Sequence, residues 1–278
     1  MISKILKRLG GFSLVEVVIS TAILGMIVTA GLSLYLSQQK QWLIQEQIAD
    51  MQQNVRVSMA ELAMNARLAG CGDLPWGMVA VVLDDTDPDT LVIRHNPDEC
   101  LANVGKNIHS NTIHTRDDPR CFEVGVRAYI WDFTGQWEWF TVQHVAWNEG
   151  QGWYEIHASE NLQNNYKNKD NPRVLVFSEL KYYIDNTTDA SHPALMRSRD
   201  GFAPQVFAEN IEDLQVAYIM RNGTITANPD TLQNVRALQI ELRARTERQD
   251  PDWTDSDYGD GYRRRSLESQ VGARNLGL

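Results

Sequence analysis

The chain has 278 residues, of which 43% are hydrophobic and 22% are charged, and these values exclude a wholly disordered or a collagen-like chain. The formal net charge is −10, and an acidic surface repels phosphate backbones, which argues against nucleic acid as a partner. Three cysteines are too few for a scaffold built on disulfides.

The N-terminus joins a short basic segment to a long apolar one. Residues 1–11 carry three basic and no acidic side chains, whereas residues 12–36, a run of 25, carry a single charge, Glu16. A helix of that length measures roughly 37 Å, more than the ~30 Å hydrocarbon core of a membrane. Basic residues ahead of the run favour a cytoplasmic N-terminus, with the rest of the chain in the periplasm or beyond.

An ordinary secretory signal peptide is the alternative interpretation of this segment. Its apolar region is about 7–15 residues long and ends in a small-residue cleavage site. Here the apolar run is longer, and Gly10 and Gly11 precede it. A cut after Gly11 would remove only the basic leader, keep the apolar helix and make Phe12 the new N-terminus.

Glu16 is the anomaly of the apolar run. A carboxylate inside a membrane costs about 2.5–3.5 kcal/mol on insertion scales, so it is treated as a functional residue that needs a partner. The alternative, that Glu16 reaches the membrane surface, is less favoured because its side chain is short. The α-amine of Phe12, in the same or a neighbouring chain, is the expected partner.

The sequence Gly-Phe-Ser-Leu-Val-Glu-Val at residues 11–17, after a basic leader, resembles the N-terminal motif of type IV prepilins, which pilins and pseudopilins share. The resemblance implies that a prepilin peptidase cleaves after Gly11 and methylates the amine of Phe12. It implies that Glu16 pairs with the N-terminal amine of an adjacent subunit during assembly. It also implies the type IV pilin fold, an α+β fold whose long N-terminal helix packs on an antiparallel β-sheet-rich head.

Helical periodicity continues beyond the apolar run. Apolar residues recur at spacings of three and four, no proline occurs between residues 12 and 69, and Gly70 stands where a helix end is expected. The sequence therefore predicts one helix from about residue 12 to residue 69, with a membrane-spanning half at 12–36 and an amphipathic half at 37–70.

Residues 71–278 are typical of a single periplasmic head made of short strands separated by turns. Residues 84–122 and 248–265 look like insertions. The predicted strands are Met78–Leu83, Thr90–His95, Val124–Phe133, Gln136–Trp147, Gly152–Ala158, Arg173–Leu180, Lys181–Asp185, Ile211–Met220 and Asn234–Thr246.

The order of apolar segments in the second half of the head resembles the large minor pilins of the PilW type and the J-type minor pseudopilins of type II secretion. These segments are Val174–Phe177, Tyr182–Ile184, Leu195–Arg197, Val206–Leu214 and Val235–Leu242.

The resemblance implies a structural subunit and not an enzyme, with no cofactor. The expected function is that of a minor pilin which takes part in initiating pilus assembly and sits at or near the tip, in support of twitching motility and adhesion. The implied partners are the prepilin peptidase, other minor pilins, the major pilin, the inner-membrane assembly platform and a tip adhesin. A J-type pseudopilin is the alternative, and a membrane-anchored periplasmic binding protein or enzyme is the alternative from another class.

The head carries three cysteines, Cys71, Cys100 and Cys121, and an oxidising periplasm allows a disulfide between any two of them. Asp252, Asp255, Asp257 and Asp260 are candidate calcium ligands because Ca²⁺ prefers several oxygens from a flexible loop. The spacing of an EF-hand is absent, so a solvated acidic loop balanced by the basic residues at 263–265 is the favoured interpretation.

Aromatic residues recur at odd positions along a predicted hairpin, which places those of one strand on one face. Stacked aromatic rings could bind sugars or a partner protein, whereas cross-strand packing under the long helix is the favoured alternative. These residues are Trp131, Phe133, Trp137, Trp139 and Trp147.

Overall fold

The computed structural model describes residues 13–72, 74–75, 78–96, 99–272 and 275, with the backbone alone at Gln233. The chain divides into two compact units, Met1–Ala49 and Asp50–Leu278. The basic leader, Gly11 and Phe12 lie outside the described residues, so the expectations for them stay predictions.

One α-helix, α1 (Leu14–Leu68), runs from the first unit into the second. The Val17 N–H donates to the Ser13 carbonyl oxygen at 3.1 Å at the start of the helix. The helix ends at Leu68, one residue before the predicted end, and Gly70 follows with φ at +70°, a conformation that favours glycine. The Gly70 N–H then donates to the carbonyl oxygen of Arg94 at 2.9 Å, which ties the helix end to the second strand of the head.

In the described part of the chain, fifteen strands and two short 3₁₀ helices follow α1. The strands are β1 (Val81–Asp84), β2 (Thr90–His95), β3 (Leu101–Asn103), β4 (Thr112–Thr115), β5 (Arg127–Trp131), β6 (Trp137–Asn148), β7 (Trp153–Ala158), β8 (Arg173–Leu175), β9 (Ser178–Asp185), β10 (Ala194–Arg199), β11 (Gln205–Glu209), β12 (Ile211–Met220), β13 (Ile225–Thr226), β14 (Val235–Arg245) and β15 (Arg264–Gly272). The 3₁₀ helices are Asn168–Asp170 and Leu232–Asn234.

The strands form three sheets, and all the described strand pairs are antiparallel. The five-stranded sheet has the order β1-β2-β9-β10-β11, the four-stranded sheet β13-β12-β14-β15, and the six-stranded sheet β3-β8-β5-β6-β7-β4. The predicted α+β architecture, a long N-terminal helix followed by a head rich in antiparallel sheet, is confirmed.

One boundary of the predicted strand pattern is wrong. The chain leaves the six-stranded sheet after Leu175 and enters the five-stranded sheet at Ser178, so the break falls at residues 176–177 and not after Leu180. Residues 84–122, which look like an insertion in the sequence, contain β2 of the five-stranded sheet and β3 and β4 of the six-stranded sheet.

The last turns of α1, from Asp50 onward, pack on the five-stranded sheet. Their buried side chains recur every three or four residues and include Met51, Val55, Met59, Leu62 and Ala66. Beside them, one carboxylate oxygen of Glu61 accepts hydrogen bonds from the Tyr182 hydroxyl and from Arg197, both at 3.0 Å. Because these two partners lie on β9 and β10, the bonds fix the rotation of the helix on the sheet.

A buried carboxylate joins the five-stranded and four-stranded sheets. Asp89, only 2% exposed, donates its N–H to the Leu214 carbonyl oxygen at 2.9 Å, and its carboxylate accepts the Val216 N–H at 2.7 Å. The Tyr218 hydroxyl adds a bond to the Val81 carbonyl oxygen at 3.0 Å. Burial raises the pKa of Asp89, and its backbone bond to Val216 opposes that rise.

The disulfide joins Cys100 to Cys121, which selects one of the three possible pairings. It links the start of β3 to the segment that precedes β5. Cys71 is half-buried and forms no disulfide.

Candidate functional site

The N-terminal part of α1 is an exposed apolar surface. Every residue from Ser13 to Gln39 is exposed, and the large apolar side chains of this stretch keep between 49% (Val17) and 80% (Leu14) of their area accessible. Monomeric soluble proteins rarely expose contiguous apolar patches of this extent, so such a patch marks an interaction surface for protein or lipid. By length and composition, α1 can cross a membrane.

The two threonine hydroxyl groups on this surface find acceptors within the helix itself. The Thr21 hydroxyl lies 2.9 Å from the Val17 carbonyl oxygen, and the Thr29 hydroxyl lies 2.9 Å from the Gly25 carbonyl oxygen. A hydroxyl bonded to the preceding turn presents no unsatisfied donor to an apolar neighbour. The surface is therefore effectively apolar despite its threonines.

Glu16 is the exception on this surface. It lies in the first turn of α1, is exposed, and is the only charged side chain between Ser13 and Gln39. The positive end of the helix dipole at this terminus favours a carboxylate. Among the described residues Glu16 has no hydrogen-bond or ion-pair partner. A lone carboxylate on an apolar helix can recruit a cation supplied from outside the described residues.

The candidate calcium ligands lie in the loop between β14 and β15, where an arginine forms ion pairs with two of the carboxylates. Arg264 binds Asp260 through two bonds of 2.7 Å and lies 3.5 Å from a carboxylate oxygen of Asp255. Asp252 and Asp257 belong to the same loop. In the part of the chain that the structure describes, no three His, Cys, Asp or Glu side chains are placed to hold a metal ion. The geometry gives the calcium hypothesis no support.

The bonds within this loop lower the pKa of both carboxyls. The bonds from the backbone N–H groups of Asp257 and Tyr258 are among the causes that lower the pKa of Asp255. The bond from Arg264 is the main cause of the lowered pKa of Asp260. The favoured interpretation, that arginines balance the acids, fits Arg264, which also bonds Glu212 on β12 at 2.7 Å.

The aromatic residues of the β5–β6 hairpin divide between packing and exposure. Trp131 is buried and Trp139 is half-buried, whereas Phe133, Trp137 and Trp147 are 49% to 56% exposed. The buried rings pack across strands, as favoured. The expectation that these rings pack under the long helix is wrong. The described apolar neighbours of Trp131 and Trp139 come from β3, β8 and the segment before β1, and not from α1.

The sequence does not indicate which side chains contact residues far away along the chain. Glu61 contacts residues 121 and 136 positions away, and no local pattern signals such a pair. Asp260 and Arg264 are four residues apart, and this spacing is the one local signal for an ion pair in the acidic loop.

No protein-family model and no curated protein matches the sequence. Among solved structures, the chain is similar to the type IV-like pilin TTHA1219 from Thermus thermophilus, with a TM-score of 0.38 and 13% sequence identity. The alignment covers 81% of this chain and 97% of that one. Because the TM-score and the identity are low, the functional argument rests on the residues of this chain.

Proposed function

We propose that the protein is a minor subunit of a type IV pilus, of the large PilW type, held in the inner membrane by α1 before it enters the fibre. The observation that carries the proposal is the single carboxylate, Glu16, on an otherwise apolar and fully exposed helical surface. A soluble head with a plain membrane anchor has no use for a charge at that position, because the charge only makes insertion costlier.

Assembly into a fibre would provide the carboxylate of Glu16 with a cationic partner. When α1 leaves the lipid and packs among the helices of neighbouring subunits, Glu16 is buried and needs a cation. The amine created by cleavage between Gly11 and Phe12 is such a cation, since the unperturbed pKa of an α-amine is about 8. An unpaired buried charge is expensive, whereas a paired one fixes geometry, so Glu16 sets the register of each added subunit.

The head supports a position at or near the tip. Residues 50–278 form one compact unit with three sheets, and this bulk suits an end of a thin filament better than repeated close packing along it. The partners are then the prepilin peptidase, the major pilin and other minor pilins, the inner-membrane assembly platform and a tip adhesin. In this proposal the head faces the periplasm before assembly and the cell exterior afterwards.

Deletion of the gene separates this proposal from its nearest alternative. A minor pilin that initiates assembly predicts a strain that loses surface fibres and twitching while its type II secretion continues, and plasmid-borne wild type restores the fibres. Electron microscopy and an assay of secreted enzymes provide the two measurements. Loss of secretion with normal fibres would identify a J-type pseudopilin instead. Loss of neither would point to a membrane-anchored binding protein or enzyme.

A further inference from the structure

A ridge of exposed apolar side chains continues along one side of α1 beyond the apolar run. Leu32, Tyr35, Leu36, Trp42 and Leu43 follow one another at intervals of three, four or seven residues, which places them on the same side of a helix. Their exposed fractions run from 46% at Leu43 to 61% at Tyr35 and Leu36. We call these five residues the apolar ridge.

The rest of the helix surface at this level is polar. Residues 37–41, directly after Leu36, are Ser-Gln-Gln-Lys-Gln. In the stretch between Leu36 and Val57, all of which the structure describes, Trp42 and Leu43 are the exposed large apolar side chains. Ile44 and Ile48 are half-buried. Between residues 37 and 48, the exposed apolar surface of α1 therefore lies on the side of the apolar ridge.

The length of α1 places Trp42 at the level of the lipid headgroups. At about 1.5 Å per residue, a ~30 Å hydrocarbon core that begins at Leu14 ends near residue 34, and the headgroup layer adds about 5–8 Å. The Cα atom of Trp42 lies about 42 Å from that of Leu14, but a helical side chain points back over the preceding turn, by up to ~5 Å. The indole then reaches about 37 Å, which is inside the headgroup layer, and any tilt of the helix brings it deeper.

The chemistry of the apolar ridge fits this layer. Trp and Tyr are enriched at membrane–water interfaces, because their rings are apolar while the indole N–H or the hydroxyl can stay hydrated. The apolar ridge is also continuous with the exposed apolar surface of residues 13–36, which contacts lipid in the proposed function. Both observations favour phospholipid as the partner of Trp42 and Leu43.

We propose that Trp42 and Leu43 insert into the periplasmic headgroup layer of the inner membrane and tilt α1 towards the apolar ridge. The lipid contact of α1 then ends near residue 43 on this side and near residue 36 on the opposite side. This inference rests on the membrane-held state of the proposed function, and it does not require that the protein enters a fibre.

The test is a nitroxide scan of the full chain in vesicles of phosphatidylethanolamine and phosphatidylglycerol. Cys71→Ser leaves Cys100 and Cys121, which are joined as a disulfide, so cysteines introduced one at a time at residues 37–45 carry the label. Electron paramagnetic resonance measures the accessibility of each label to oxygen, which concentrates in lipid, and to a water-soluble nickel chelate.

Oxygen accessibility is expected to oscillate with the helical period, with maxima at positions 39 and 43 and a minimum at position 41. Accessibility to the nickel chelate should oscillate in the opposite phase. Oxygen accessibility that falls smoothly from position 37 to position 45 would overturn the proposal, since all sides of the helix would then leave the lipid together. A protein partner bound at Trp42 would not rescue it.

The double variant Trp42→Gln, Leu43→Gln shows whether the two side chains cause the asymmetry. With the label at position 39, this variant is expected to lose the oxygen maximum. Gln41→Ala is the matched control, because Gln41 is exposed on the opposite side of the same helix, and it is expected to keep the maximum. Loss of the maximum in both variants, or in neither, would contradict the proposal.

A label at position 27 separates this inference from the proposed function. Ile27 is 64% exposed and lies about 20 Å along the helix from Leu14, near the middle of the hydrocarbon core. High oxygen accessibility at position 27 together with a smooth profile at 37–45 would overturn this inference alone. Low oxygen accessibility at position 27 would overturn the membrane-held state as well.

Discussion

Glu16→Ala will remove the protein from surface fibres while leaving it synthesised, inserted and cleaved. Without the carboxylate, the amine of the adjacent subunit is buried without a partner, which costs about 3–5 kcal/mol. Since 1.4 kcal/mol corresponds to a factor of ten, incorporation should fall by more than about a hundredfold. The measurement is the amount of the protein in sheared fibres relative to the membrane fraction, by quantitative immunoblot.

Two further variants show whether the charge of Glu16 itself is needed for incorporation into fibres. Glu16→Gln keeps the size of the side chain without the charge and is expected to fail like Glu16→Ala. Glu46→Ala removes an exposed carboxylate from a more C-terminal position of the same helix and is expected to assemble normally. Normal assembly of Glu16→Ala, or an equal defect in Glu46→Ala, would contradict the assigned role.

Arg264→Met will destabilise the head more than a typical surface substitution. The Arg264 side chain is 9% exposed and bonds Glu212 and Asp260, both at 2.7 Å, with Asp255 at 3.5 Å. Its guanidinium also lies 3.9 Å from the ring centroid of Tyr258. Removing this cation deprives Asp255 and Asp260 of their arginine partner, whereas Glu212 keeps Arg243 at 3.1 Å, and we expect a cost on the order of 3 kcal/mol. Urea denaturation at pH 7 measures the change in the free energy of unfolding.

Arg265→Met is the control, since its side chain is exposed and has no polar partner among the described residues. The pH dependence gives a second check. The folded state lowers the pKa of Asp255 and Asp260 from the ordinary value of 3.8, so their stabilising effect is complete above that pH and declines as the pH falls through the lowered values. The difference in the free energy of unfolding between wild type and Arg264→Met should therefore become smaller below about pH 3.8. A difference that stays constant with pH would contradict the role assigned to Arg264.

The helix was predictable because its signals are local. The apolar run, the absence of proline and Gly70 all act within a few residues of the positions that they affect, and the structure has α1 from Leu14 to Leu68. The lone charge of Glu16 is likewise visible in composition alone. Strands with alternating apolar residues, such as β2 and β12, were recognised for the same reason.

We did not predict strand β15, because apolar and polar residues do not alternate in its sequence in a way that indicates a buried face. It pairs with β14 from Arg264 to Gly272 but lies at the edge of its sheet, and most of its side chains are polar or exposed. Charged side chains are what edge strands commonly carry, so the sequence resembled a loop. The disulfide pairing depends on how Cys100 and Cys121 are brought together in the folded head, which no spacing along the chain encodes.

The first residue of the native protein tests the central claim most directly. Mass spectrometry of the N-terminal peptide, from protein extracted from membranes and from sheared fibres, should find Phe12 in first position with one methyl group on its amine. In the proposed fibre, that amine is the cation that Glu16 of a neighbouring subunit binds. A native protein that still begins at Met1 would contradict the account, because no amine would then lie at Phe12 to pair with Glu16.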